Sequence, residues 1–231
     1  MTAAVPVNPG HQGLTWITPT PWNTVMKVYT YPPAPNPQRL ALFLRYKGIE
    51  LATEEVDMMA QAQLSDSYRE LNPDATVPCL QLDDGTVLSQ VIGMCVYLEH
   101  LYPDRPLMGN TALEKAQVIS WVHKLGNTLF GGVASVFRNT SKGFVDRGLP
   151  GPLNLPQIPA LADRGRRQID AALPLLDQHL STSHWMAGDV FSLADIDLVV
   201  AIDFMAWIKQ DVPTEYTHLL DWLERARAEL S

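Results

Sequence analysis

Two kinds of periodicity divide this chain, and the point where one gives way to the other limits what it can fold into. Short β-branched or aromatic runs bounded by turn residues occur only before residue 103; from residue 112 onward every apolar repeat has helical spacing. Residues 25–31, "VMKVYTY", read as a strand. Residues 36–46 then set Leu40, Phe43 and Leu44 at helical spacing ahead of Gly48, a residue suited to the left-handed turn that ends a helix. A short strand at 54–56 and a short helix at 66–71 follow, the helix stopped by Asn72-Pro73. "TVPCLQLDDGTVL" holds two brief strands around Asp84-Gly85, the strongest hairpin signal in the chain, and a helix over 89–102 completes a βαβαββα order. Beyond the loop 103–110, helical runs are expected at 112–139, 161–181, 193–209 and 217–230, with Pro174 kinking the second. The pattern therefore divides into an extension at 1–25, an α/β domain at 26–103 and an all-α domain at 110–231.

A length of 231 residues with 46% apolar content supports a sizeable core, as one large domain or two small ones. The formal net charge of −8 argues against nucleic acid or an anionic membrane surface as partner, both of which attract clustered Lys and Arg. No apolar run reaches the roughly 18–20 residues needed to span a bilayer. The opening "MTAAVPVNPGHQGLTW" lacks the basic and apolar regions of a secretory signal, so a cytoplasmic protein is expected. Two cysteines are too few for a disulfide scaffold, and no His, Cys or carboxylate cluster has metal-ligand spacing. Cys79, after a proline on a strand, and Cys95, within a helix, read as packing residues. The extension carries Trp16 and Trp22 and is expected to lie against the body. Residues 141–160, with four prolines and three glycines, are too long and broken for a simple helix connection and read as a lid or an insertion.

Two longer motifs narrow the reading: "NPDATVPCL" at 72–80 and "WMAGDVFSLADI" at 185–196. In the second, Ser192 and Asp195 have the spacing of a helix capping box, a structural role. Together with the βαβαββα unit and the helical second half, these motifs resemble the cytosolic glutathione transferase family over about residues 25–230. The resemblance implies a thioredoxin-like N-terminal domain with an all-α C-terminal domain, glutathione as co-substrate without a metal, a small hydrophobic electrophile or disulfide as substrate, and a homodimer. It further implies that Pro78 is a cis proline whose turn lets the backbone of Val77 exchange hydrogen bonds with the cysteinyl part of glutathione.

"APNPQRL" at 34–40 resembles the T-P-N-G-x-[KR] element of bacterial Nu-type, disulfide-reductase-like members and their fungal relatives, where an Asn holds the sulfur. Asn36 is the implied donor, its amide N–H₂ aided by the positive end of the first helix. Asn is also a preferred helix N-cap, so Asn36 fits either role or both. Ala34 stands where those relatives have Thr, and Tyr31, near the end of the first strand, is the second catalytic candidate. At the γ-glutamyl end the resemblance assigns Gln90 and Val91, the latter replacing the usual Ser or Thr. Gln63 corresponds to a contact with the glycyl end, or is a solvated loop amide. The acceptor site between the domains implies Trp121, Phe130 and Arg138, with Phe137 and His123 beside them, although aromatics at helical spacing also suit a core and the polar pair a solvated face. The activity so implied is glutathione transfer or disulfide reduction. The alternatives are a degenerate thiol site kept as a binding module, and a specialised isomerase or lyase.

Overall fold

The computed structural model describes residues 26–231; the reading of 1–25 as a segment lying against the body concerns residues outside these. Four strands, β1 Lys27–Thr30, β2 Ala52–Glu55, β3 Cys79–Gln81 and β4 Val87–Leu88, form one sheet in the order β2-β1-β3-β4. β1 and β2 are parallel, with Val28 opposite Thr53; β1 and β3 are antiparallel, with Val28 opposite Leu80. β3 and β4 are joined by the hairpin, where Gly85 takes φ 86°. Helices α1 Pro35–Lys47, α2 Asp66–Leu71 and α3 Val91–Leu101 complete the βαβαββα unit, which is thioredoxin-like. Every residue of β2 is exposed, so this edge strand begins two residues earlier than the sequence pattern indicates: with neither face buried it carries no alternation to mark its start.

The second half is helical: α4 Ala112–Asn127, α5 Leu129–Thr140, α6 Pro159–Leu180, α7 Leu193–Met205 and α8 Thr217–Glu229. The single run expected at 112–139 is broken at Thr128, whose φ −114° and ψ −99° leave the helical region. α5 and α6 cross closely through glycine: a Cβ on Gly165 would stand 2.6 Å from the carbonyl oxygen of Gly132. Twelve of the thirteen residues of α7 are buried, making it the axis of the helical half and its contact with α1. At its N-terminus the carboxylate of Asp195 accepts from Ser192 N–H (3.0 Å), Ser192 Oγ (2.8 Å), Met186 N–H (2.8 Å) and Trp222 Nε1 (3.0 Å). Burial pushes this carboxyl above the ordinary range, and the four hydrogen bonds pull against that shift. Among the described residues no helix is long and apolar enough to cross a membrane.

Candidate functional site

Three segments distant in sequence line a cleft of about 460 Å³: the start of α1, the loop from Pro73 to Pro78, and the turn from Ser89 into α3. The long connection between α5 and α6 adds Pro150, Gly151 and Pro152 to the lining.

The α1 end is unusual because prolines remove donors. Pro35 opens the helix and Pro37 follows, so neither offers an N–H, and Gln38 N–H already donates to the carbonyl of Ala34 (3.1 Å). Asn36 N–H is thus the one backbone donor of this first turn with no partner among the described residues. The helix dipole persists, and the donors expected there reduce to Asn36, through its backbone and its amide. Ala34, not Asn36, holds the N-cap position, so the capping role does not apply. The Asn36 amide oxygen accepts from Arg39 Nη1 at 3.0 Å.

Pro78 follows a cis peptide bond from Val77. The turn is fastened from below, since the carbonyl of Thr76 accepts from Tyr68 Oη (2.7 Å) and from the buried Asn72 Nδ2 (2.8 Å). Among the described residues the N–H and C=O of Val77 are used by no other group, and Val77 lines the cleft. Across from it Gln90 caps α3 without a side-chain bond of its own. The N–H groups of the first turn of α3 lack intrahelical acceptors, and that end of the helix favours an anion. Val91, which opens α3, is buried in the core and also lines the cleft. Asp74 stands beside this end with its Oδ2 accepting from Ser89 Oγ at 2.7 Å.

The remaining expected residues are not brought here. Tyr31 packs half-buried against the core, its carbonyl accepting from Ala34 N–H (3.0 Å), and Tyr29 spends its hydroxyl on Gln81 Oε1 (3.2 Å). Gln63 is 2% exposed in a short 3₁₀ turn, so it is no solvated loop amide, and it does not line the cleft. Trp121 faces α6, its ring 4.3 Å from that of His179, away from the site. Phe130 comes nearer, its ring under the Arg39 guanidinium at 5.4 Å and against Phe204 at 5.7 Å. Phe137 joins Phe144, Phe204 and Trp207 in one aromatic cluster. His123 is exposed and bonded to Asn127.

Arg138 braces the 141–160 segment. Its Nη1 donates to the carbonyl of Arg147 (3.1 Å), its own carbonyl accepts from Gln157 Nε2 (2.7 Å), and burial with Arg147 nearby pushes its pKa down to about 10. Gln157 Nε2 also reaches the carbonyl of Ser141 (2.8 Å), and Gly148 N–H that of Leu155 (2.9 Å), so the base of the 141–160 segment is tied. At its tip Gly151 is buried, with φ 106°, beside the carbonyl of Asp74. Neither cysteine has an exposed thiol: both are buried, and burial pushes both thiols up.

Sequence reasoning missed Asp74, Ser89, Arg39 and Asp197. A signal existed for the last, because a carboxylate inside the apolar run "LADIDLVVAIDFM" requires a partner. Arg39 supplies it through Nε (2.6 Å) and Nη2 (2.5 Å).

Comparison with known proteins agrees with this architecture. Residues 34–101 match the family model for the glutathione S-transferase N-terminal domain, and 149–229 that for its C-terminal domain. The chain is 27% identical to glutathione S-transferase 2 of Saccharomyces cerevisiae, over 87% of this chain and 84% of the relative. It is also 27% identical to glutathione S-transferase GstA of Escherichia coli O157:H7, over 72% and 76%. A solved glutathione S-transferase domain-containing protein of Marinobacter aquaeolei superposes with a TM-score of 0.81 at 30% identity, covering 89% of this chain and all of that one. With a thioredoxin-like unit, a helical unit and a cleft at their junction, the chain belongs to the cytosolic glutathione S-transferase family and is a glutathione S-transferase-like enzyme.

Proposed function

We propose that the cleft binds glutathione with its sulfur at Asn36 and its γ-glutamyl end at α3, and that the protein transfers the thiolate to a small hydrophobic electrophile or to a disulfide. The observation that carries this reading is the meeting, in one cleft, of the Asn36 donors, the unused backbone of Val77 and the open N-terminus of α3. An ordinary thiol with pKa near 8.5 is only about 3% ionised at pH 7, so a site for sulfur chemistry must favour the anion. Asn36 offers its amide N–H₂ and backbone N–H, with the α1 dipole behind them. Val77 forms a short extended pairing with the cysteinyl residue, the α3 N–H groups hold the γ-glutamyl carboxylate, and Gln90 and Asp74 accept from its ammonium. Gln63 and Tyr31 do not line this cleft.

In conjugation the thiolate forms a carbon–sulfur bond and the leaving group departs with its electron pair. In reduction the thiolate attacks one sulfur of a disulfide and expels the other as thiolate; a second glutathione thiolate then releases the remaining half, forming glutathione disulfide. The protein contributes no cysteine of its own, in line with the burial of Cys79 and Cys95. The reading includes domains at 26–103 and 110–231, action in the cytoplasm on small molecules in a detoxifying role, and a homodimer. Apolar side chains exposed on α3 and α4, Val96 (48%) and Leu113 (69%), support the dimer.

Calorimetric titration with reduced and then oxidised glutathione tests the reading. Binding in the micromolar to low millimolar range supports it, and preference for the oxidised form selects disulfide reduction. Absence of binding by both forms rejects it in favour of a fold kept as a binding module or for another reaction.

A further inference from the structure

Asp197 and Arg39 are 158 residues apart and form a closed contact where α7 meets α1. Asp197 sits in a helix that is buried all round, its side chain 4% exposed, and Arg39 is 13% exposed. The pair is bidentate, Nε to Oδ1 and Nη2 to Oδ2, which holds the guanidinium plane as well as its position. Phe130 stacks beneath it. Lys47 of α1 and Glu99 of α3 pair with each other at 2.8 Å and take no part in this contact. One edge of the guanidinium remains, and its Nη1 donates to Asn36 Oδ1.

Arginine has only donors, so the atom of Asn36 facing it must be the amide oxygen. Turning the amide over would set N–H₂ against N–H and forfeit a charge-assisted bond. The oxygen is therefore held toward Arg39, and the N–H₂ is left for the cleft that Asn36 lines. We propose that Asp197 and Arg39 are positioning residues for the sulfur site: Asp197 orients Arg39, and Arg39 fixes the Asn36 amide with its donors toward the ligand sulfur. The helical half thereby sets the alignment of a donor in the α/β half. This rests on the reading of Asn36 as thiolate donor.

The test is the thiol pKa of bound glutathione, followed by thiolate absorbance against pH in four proteins: wild type, Asp197→Asn, Asn36→Ala and the double variant. Asp197→Asn is expected to raise the thiol pKa by about one unit, a tenfold loss of thiolate below it, and to add nothing once Asn36 is Ala. A direct electrostatic effect has the opposite sign, since removing a negative charge near a thiolate lowers its pKa. A fall, no change, or an equal shift in both backgrounds overturns the relay. The Asn36→Ala arm alone judges the underlying reading: if that single substitution leaves the pKa unmoved, the donor role fails and the relay with it. Should Asp197→Asn fail to fold, Arg39→Lys keeps the charge and loses the planar fork. The same background-dependent rise is expected for it, and its absence likewise overturns the relay.

Discussion

Replacing Asn36 by Ala removes the amide from the cleft and leaves the α1 backbone unchanged, because the helix is opened by Pro35 and Asn36 makes no cap. Asn36 is exposed, so water replaces it as acceptor for Arg39 Nη1, and the change in stability should stay within about 0.5 kcal/mol. The effect on sulfur is larger. A hydrogen bond to a charged group contributes about 1.5–3 kcal/mol, equivalent to about 1–2 pKa units on the thiol. The backbone N–H of Asn36 and the helix dipole survive the substitution, so the lower half of that range is expected. The pKa of bound glutathione is read from thiolate absorbance, and kcat/KM is measured with a generic electrophile across pH. At pH values below the wild-type thiol pKa the variant should be about tenfold slower or more, by the same conversion; above the variant's own thiol pKa both sites hold thiolate and the curves should converge. A loss of rate that is the same at every pH, with an unmoved thiol pKa, would refute the reasoning, because the amide would then act on something other than ionisation.

Three further outcomes test other parts of the structure. Gly165→Val places a first carbon 2.6 Å from the Gly132 carbonyl oxygen and adds two methyl groups, so α5 and α6 must separate; over-packing of about 1–3 kcal/mol should lower the melting temperature by several degrees, and an unchanged melting curve would show that the crossing is looser than described. Gln157→Leu removes two side-chain hydrogen bonds at the base of the 141–160 segment, and glutathione should dissociate several-fold faster in stopped-flow measurements while the thiol pKa stays put; an unaltered off-rate would mean that this segment does not retain the ligand. The Glu114 carboxylate accepts from the N–H groups of Asn110 and Thr111, which hold its pKa below the ordinary 4.5. A depressed folded-state pKa gives stability that is complete above about 4.5 and is lost as pH falls through the lower folded value. The melting-temperature gap between wild type and Glu114→Gln should therefore narrow with acidification below pH 4.5, and a gap independent of pH would assign the effect to something other than ionisation.

Local structure was legible wherever a few neighbouring residues decide it. Asp84-Gly85 turned the hairpin, Asn72-Pro73 stopped α2, and Gly48 ended α1 at φ 66°. Pro78 proved cis, and Ser192 with Asp195 formed the expected box. The misreadings also have local causes. Asn36 looked like a cap because Asn favours that position, yet the helix starts at Pro35 and its cap falls two residues earlier, on Ala34. The resemblance implied Trp121 and Arg138 at the cleft, and helical spacing could not correct it, because spacing tells which residues share a face and not what that face meets.

The order of elements, the division into an α/β and an all-α half, and the family itself were determined by the chain's own pattern, since turn chemistry, caps and periodicity act over a few residues. Tertiary structure alone decided that Pro150–Pro152 would line one cleft with Gln90, and that a carboxylate at 197 would take the arginine at 39. Such contacts follow from how buried surfaces of separate helices pack, and a buried charge finds whichever partner that packing brings within reach; separations of 60 and 158 residues leave no local trace.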